Sequence, residues 1–152
     1  MSKLFTYQKK DKLKSRKQTQ FLFAKGSAIT VGPIRLLYTI ETENAAESSR
    51  KIISKDPSLE DEFSMGEFQK GVLQAGVGAP SRHFRKAVMR NKVKRLLREG
   101  YRLERPAFMS AINIEHKRLN LFFLYTDTII LSQKEIQEKI KVVLQKLADK
   151  LK

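Results

Sequence analysis

Apolar and polar positions alternate in "IRLLYTIE", with Ile34, Leu36, Tyr38 and Ile40 on one face and Arg35, Leu37 and Thr39 on the other, so this segment reads as a strand. "VLQAGVGAP" repeats the pattern, setting Leu73, Ala75, Val77 and Ala79 against Val72, Gln74, Gly76 and Gly78. Glycines weaken a strand, and two explanations stand for accepting that: close approach of another backbone, or a bulge. "RLNLFFLYT", residues 118–126, is apolar enough to sit centrally in a sheet, and a short extra strand fits residues 28–31. Helical spacing takes over elsewhere. Ser15 with Gln18 three residues on forms a capping box, and Gly26 is a stop, which predicts a first helix over about 16–25. Ser132 and Glu135 open a last helix whose stripe is Ile136, Ile140, Val143, Leu147 and Leu151. Between them, from about Arg82 to Leu103, the residues Met89, Val93, Leu96, Gly100 and Leu103 fall on one face, and Pro106 is expected to end the helix.

The resulting order is α-β-β-(β)-α-β-α, an α+β protein built as a two-layer α/β sandwich of helices on a small sheet. No internal repeat is found, and 152 residues suit a single domain over 1–152. One stretch departs from the pattern. Residues 41–70 lack apolar periodicity and hold eight acids against four bases, a local net of −4, and are expected to form an acidic, flexible loop insertion. The whole chain carries +15, so the remaining 122 residues carry +19. A field of that sign attracts polyanions. With no cysteine there is neither a disulfide scaffold nor a thiolate metal site, and "LNLFFLY" is too short to span a membrane. The N-terminal cations lead into no apolar run of signal-peptide length, so a cytoplasmic protein is expected.

The charge concentrates on the middle helix, "KAVMRNKVKRLLREGYR". Lys86, Arg90, Lys94, Arg98 and Arg102 recur every four residues, with Asn91 and Arg95 beside them. Four successive like-charge contacts at this spacing cost about 1 to 2 kcal/mol. Only Glu99, four residues after Arg95, offers relief. A mixed-sign run would read as a solvated face; a run of nearly one sign points to an anionic partner. Arginine grips phosphate with a planar fork, Asn91 can serve phosphate or a 2′-hydroxyl, and a helix of ~20 residues spans roughly 30 Å, enough to bridge several phosphates.

This helix resembles the signature of the protein subunit of bacterial ribonuclease P, in the positions Ala87, Val88, Arg90, Asn91, Lys94, Arg95, Arg98 and Glu99. The "LKSRK…LFAKG" and "VGAPSR" segments, the strand ending in Tyr38 and the final strand and helix are similar in order and type, so the resemblance covers all but the acidic loop. It implies a fold of the ribosomal-protein-domain type with a left-handed βαβ crossover, against the usual handedness rule. It also implies the function: binding a catalytic RNA and assisting endonucleolytic removal of the 5′ leader from precursor tRNA. Mg2+ would then act through the RNA subunit, with no catalytic residue and no metal site in the protein. Carried over by position, Lys86, Arg90, Asn91, Lys94, Arg95, Arg98 and Arg102 would contact the catalytic RNA, while Phe23, Tyr38 and Arg35 would line the leader-binding cleft. Aromatic faces stack on any base, which suits a leader of variable sequence, although Phe23 and Tyr38 would serve equally as core aromatics. Two positions depart from the family: Thr19 stands where a second aromatic is common, and Arg85 where many relatives have glycine.

Rival readings are weaker. An enzyme with its own active site would have to use His83 and His116, 33 residues apart and without HxxxH, CxxC or a Gly-rich phosphate loop, or the three adjacent acids of "LEDEF". A generic RNA-binding or ribosome-associated protein without a processing role is the alternative that charge alone does not exclude; it needs cations, but not the spacing of Asn91, Lys94, Arg95, Arg98 and Glu99. A membrane surface partner is not expected, because the helix lacks Trp or Phe anchors on a broad apolar face.

Overall fold

The computed structural model describes residues 11–13, 16–42, 71–115 and 117–151. Ser15, His116 and residues 43–70 lie outside them, and with them the first capping box and nearly all of the expected acidic loop. The elements are α1 (Arg16–Lys25), β1 (Ser27–Val31), β2 (Ile34–Thr42), β3 (Val72–Gly78), α2 (Ala87–Ala111), β4 (Lys117–Tyr125) and α3 (Gln133–Leu151). They form the α+β order expected from the sequence.

The strands make one sheet in the order β1-β2-β4-β3. β1 and β2 form an antiparallel hairpin and β2 lies antiparallel to β4, whereas β3 runs parallel to β4. Parallel neighbours need a crossover, and α2 supplies it. Register assigns the faces. Leu36, Phe123 and Val77 form one cross-strand row, and Leu37, Phe122 and Gly76 the next, on the opposite face. The first face builds the main core with α2 and α3, where Leu36, Phe123, Val93, Leu97, Ile136, Ile140 and Leu147 are all fully buried. The Tyr101 ring of α2 meets Phe123 at 5.4 Å. α1 covers the second face: its Leu22 is buried and its Phe23 ring meets Phe122.

On that second face the β3 glycines find their reason. A Cβ on Gly76 would lie 2.9 Å from Phe122 Cδ2, and one on Gly78 would lie 2.8 Å from Cε1, so the aromatic ring rests directly on the bare strand. The β3–β4 register runs unbroken through both glycines, which rules out a bulge there. A backbone approaches as well, since Leu13 N–H donates to the Ala75 carbonyl at 2.9 Å along the outer edge of β3.

α2 differs from expectation at both ends and in its rotation. It begins at Ala87, because residues 80–84 turn back on the Pro80 carbonyl and bury Phe84 in the core. Pro106 lies inside the helix instead of ending it. An interior proline costs about 3 kcal/mol. Burying Phe108 beyond it returns a comparable ~1.5 to 3 kcal/mol, and Ser110 Oγ donates to the Pro106 carbonyl at 3.1 Å. The buried positions are Val93, Leu97, Gly100, Tyr101 and Phe108; Leu96 and Leu103 are half-buried and Met89 is at the edge of exposure. The stripe is turned because α2 faces two partners. Gly100 admits α3, where a Cβ would stand 2.7 Å from Ile140 Cδ1, while Tyr101 addresses the sheet through Phe123.

α3 starts as its sequence predicts. Glu135 N–H donates to Ser132 Oγ at 3.3 Å, and Ser132 N–H donates to Glu135 Oε2 at 3.0 Å, a complete capping box.

Candidate nucleic-acid interface

Cations cover the side of α2 that does not pack. Asn91, Arg95 and Arg98 are exposed and Lys94 is half-buried, all on the helix surface left over once Val93, Leu97 and Tyr101 have turned inward. Lys86 is the exposed, extended N-cap residue and extends the row toward the preceding turn. Lys86, Lys94, Arg95 and Arg98 make no ion pair with any described residue. Their charges are therefore directed to solvent. Lys92, absent from the sequence-based set, is exposed next to Asn91 and belongs to the same surface.

Two members of the expected ridge are engaged inside the protein. Arg102 donates through Nε to Glu99 Oε2 at 3.0 Å and through Nη2 to Oε1 at 2.5 Å, so Glu99 relieves Arg102 and not Arg95. This hydrogen bonding holds the Glu99 carboxyl below the usual carboxylate range and raises the Arg102 guanidinium further. Arg90 is half-buried, and its Nη1 donates to the carbonyls of Phe84 and Arg85, each at 2.8 Å. Spacing by four places a side chain on a ridge; whether a backbone carbonyl waits for it depends on the course of a turn that spacing does not encode.

The other expected set does not come together as one cleft. Phe23 is 51% exposed and meets Phe122 edge-on, with ring centroids 5.1 Å apart and 63° between planes. Arg35 is exposed and, in register with Leu124 and Gly78, shares that face of the sheet. Tyr38 belongs to the opposite face, in register with Leu121 and Ala75, and packs against the main core. An open groove beside α1 is lined by Arg16, Thr19, Gln20, Phe23 and Ala24. Phe122, by sequence only one apolar residue in its strand, is the further aromatic of this face; it lies in register with Gly76, and its ring covers both Gly76 and Gly78.

Among the described residues no group of three or more His, Cys, Asp or Glu assembles into a metal-holding cluster, and no helix is long and apolar enough to cross a membrane.

Comparison with known proteins gives one consistent result. The family model described as Ribonuclease P matches residues 7–149. Ribonuclease P protein components from two strains of Porphyromonas gingivalis are 30% and 29% identical over 101 residues, a match covering 66% of this chain. The matched region spans 56% of each relative, little more than half its length. In fold, the chain is similar to the RNase P protein of Staphylococcus aureus, with a TM-score of 0.54 at 16% identity, covering 93% of this chain and 98% of that one. The RNase P protein of Thermotoga maritima aligns with a TM-score of 0.57 at 14% identity, covering 89% and 96%.

Proposed function

The chain belongs to the ribonuclease P protein family, and from that premise we propose that it is the protein subunit of a ribonucleoprotein endoribonuclease that removes the 5′ leader of precursor tRNA. In this reading the catalytic RNA performs the hydrolysis with Mg2+, and the protein binds that RNA and steadies the substrate in the cytoplasm. The observation that carries it is the solvent side of α2, where Asn91, Lys94, Arg95 and Arg98 stand in the family's spacing with no ion pair to a described residue. Phosphate neutralisation by such a row supplies affinity and makes it fall with salt.

The leader is assigned to the α1 side of the sheet. There an exposed Phe23, braced by Phe122, offers a stacking surface beside Arg35. Stacking on one base is worth about 1 to 3 kcal/mol and does not read sequence, which fits a leader that varies between substrates. Tyr38 is left to the core face.

The test is cleavage of precursor tRNA at low Mg2+ by this protein, by the catalytic RNA of the same organism, and by the two together. Cutting at the mature 5′ end only by the combination is the expected result. General RNA binding without any effect on cleavage would replace this reading with that of a ribosome-associated binder.

A further inference from the structure

The turn between β3 and α2 carries three exposed cations in five residues, Arg82, Arg85 and Lys86, none in an ion pair with a described residue. Its course is fixed at both ends. On entry, the N–H groups of His83 and Phe84 donate to the Pro80 carbonyl at 3.1 and 3.2 Å, and the Phe84 ring is buried 5.9 Å from that of Tyr125. On exit, Arg90 reaches back from the first turn of α2 to the carbonyls of Phe84 and Arg85. The N-cap Lys86 adds no side-chain cap of its own, so among the described side chains Arg90 is the one seen to tie the helix start to the turn.

We propose that Arg90 is a positioning residue for RNA binding: its guanidinium holds the 82–86 turn so that Arg82, Arg85 and Lys86 form a phosphate-contacting patch continuous with the α2 surface. The proposal rests on the functional reading above. Its physical basis is preorganisation. A turn already fixed does not have to be ordered when RNA arrives, so more of each phosphate contact appears as affinity. Both bonds leave from one nitrogen, Nη1, which lies one bond farther from the backbone than a lysine Nζ, so lysine keeps the charge but falls short of the two carbonyls. Positioning is separated from direct contact by the turn-variant background, where a lost phosphate contact would still weaken binding and a lost brace would not.

The experiment measures binding of the full chain to the catalytic RNA of the same organism over a series of salt concentrations. The variants are Arg82→Ala/Arg85→Ala, Arg90→Lys, and the three changes together. The turn variant is expected to bind about tenfold more weakly and to lower the salt slope by roughly 1.4 to 1.8, two phosphate contacts' worth. Arg90→Lys should lose several-fold despite its retained charge, and should add nothing in the turn-variant background. Wild-type binding by Arg90→Lys, or a loss that adds in full to that of the turn variant, overturns the proposal. Circular dichroism and thermal midpoints accompany each variant; an unfolded Arg90→Lys makes the residue one of stability alone and overturns it as well. Failure of the wild-type chain to bind the catalytic RNA is a different result, since it removes the functional reading itself.

Discussion

Arg90 and Arg95 are arginines five residues apart on one helix, and the structure gives them different work. Arg95 is exposed, without an ion pair to a described residue, whereas Arg90 holds two backbone carbonyls. Arg95→Ala should therefore change stability by no more than about 0.5 kcal/mol in a thermal melt. The same substitution should weaken assembly with the RNA and lower the salt slope by roughly 0.7 to 0.9; an unchanged slope would remove Arg95 from the interface. Glu99 gives a prediction of opposite sign. Its carboxyl is held below the ordinary range first by the hydrogen bond from Arg102, so the pair's contribution is complete above the unfolded carboxylate pKa and is lost only as pH falls through the lowered folded value. Glu99→Gln would remove an anion from the cationic side of α2 and tighten RNA binding near neutral pH, an effect that binding titrations of both proteins would show. At this scale the sequence supplied charge and spacing, which set out the solvent-side members Asn91, Lys94, Arg95 and Arg98. It could not separate Arg90 or Arg102 from them, since their partners are fixed by a turn and by rotamers. Alternation alone already set Tyr38 on the face opposite Arg35, and the register with β4 shows that this is the core face.

Among the elements, strands were the most legible, because one face of each meets the core and period two admits few alternatives. The helix in the middle was not, for an energetic reason: a proline weighs against continuing, and Phe108, two residues later, weighs for it. Phe108→Ala removes that second contribution and should cost about 3 to 5 kcal/mol. Hydrogen exchange should then quicken across residues 107–111 while Val93 to Tyr101 stay protected; uniform quickening would show that the segment is not held separately. The last helix tests a local signal instead. Ser132 and Glu135 exchange hydrogen bonds at the start of α3, and Ser132→Ala should cost about 1 kcal/mol in a denaturant titration. The Glu135 carboxyl is lowered chiefly by the Ser132 backbone N–H, which alanine keeps, so the pH test is Glu135→Gln: the wild-type advantage over that variant should be full above the unfolded carboxylate pKa and be lost as pH falls through the lowered folded value. An advantage that does not change with pH would mean that the carboxylate contributes nothing to the cap.

For the molecule as a whole, the insertion between β2 and β3 can be weighed from the strands that bracket it. Thr42 ends β2 opposite Lys117, and Val72 begins β3 opposite Arg118, so both strands flank the same end of β4. Their ends are separated by two inter-strand spacings, about 10 Å. Deleting 44–66 leaves six residues between Thr42 and Val72, which can reach about 20 Å when extended. The sheet can therefore close without the segment, and loop-closure entropy changes only slowly with length. Charge points the same way. The deleted stretch holds five acids and three bases, so the net charge rises from +15 to +17 and the field that attracts polyanions strengthens. The expected outcome is a folded protein with a similar thermal midpoint, RNA affinity equal to or above that of the full chain at low salt, and cleavage support retained. A folded deletion variant that binds RNA normally yet no longer supports cleavage would give the acidic stretch a role of its own, distinct from both surfaces of the sheet.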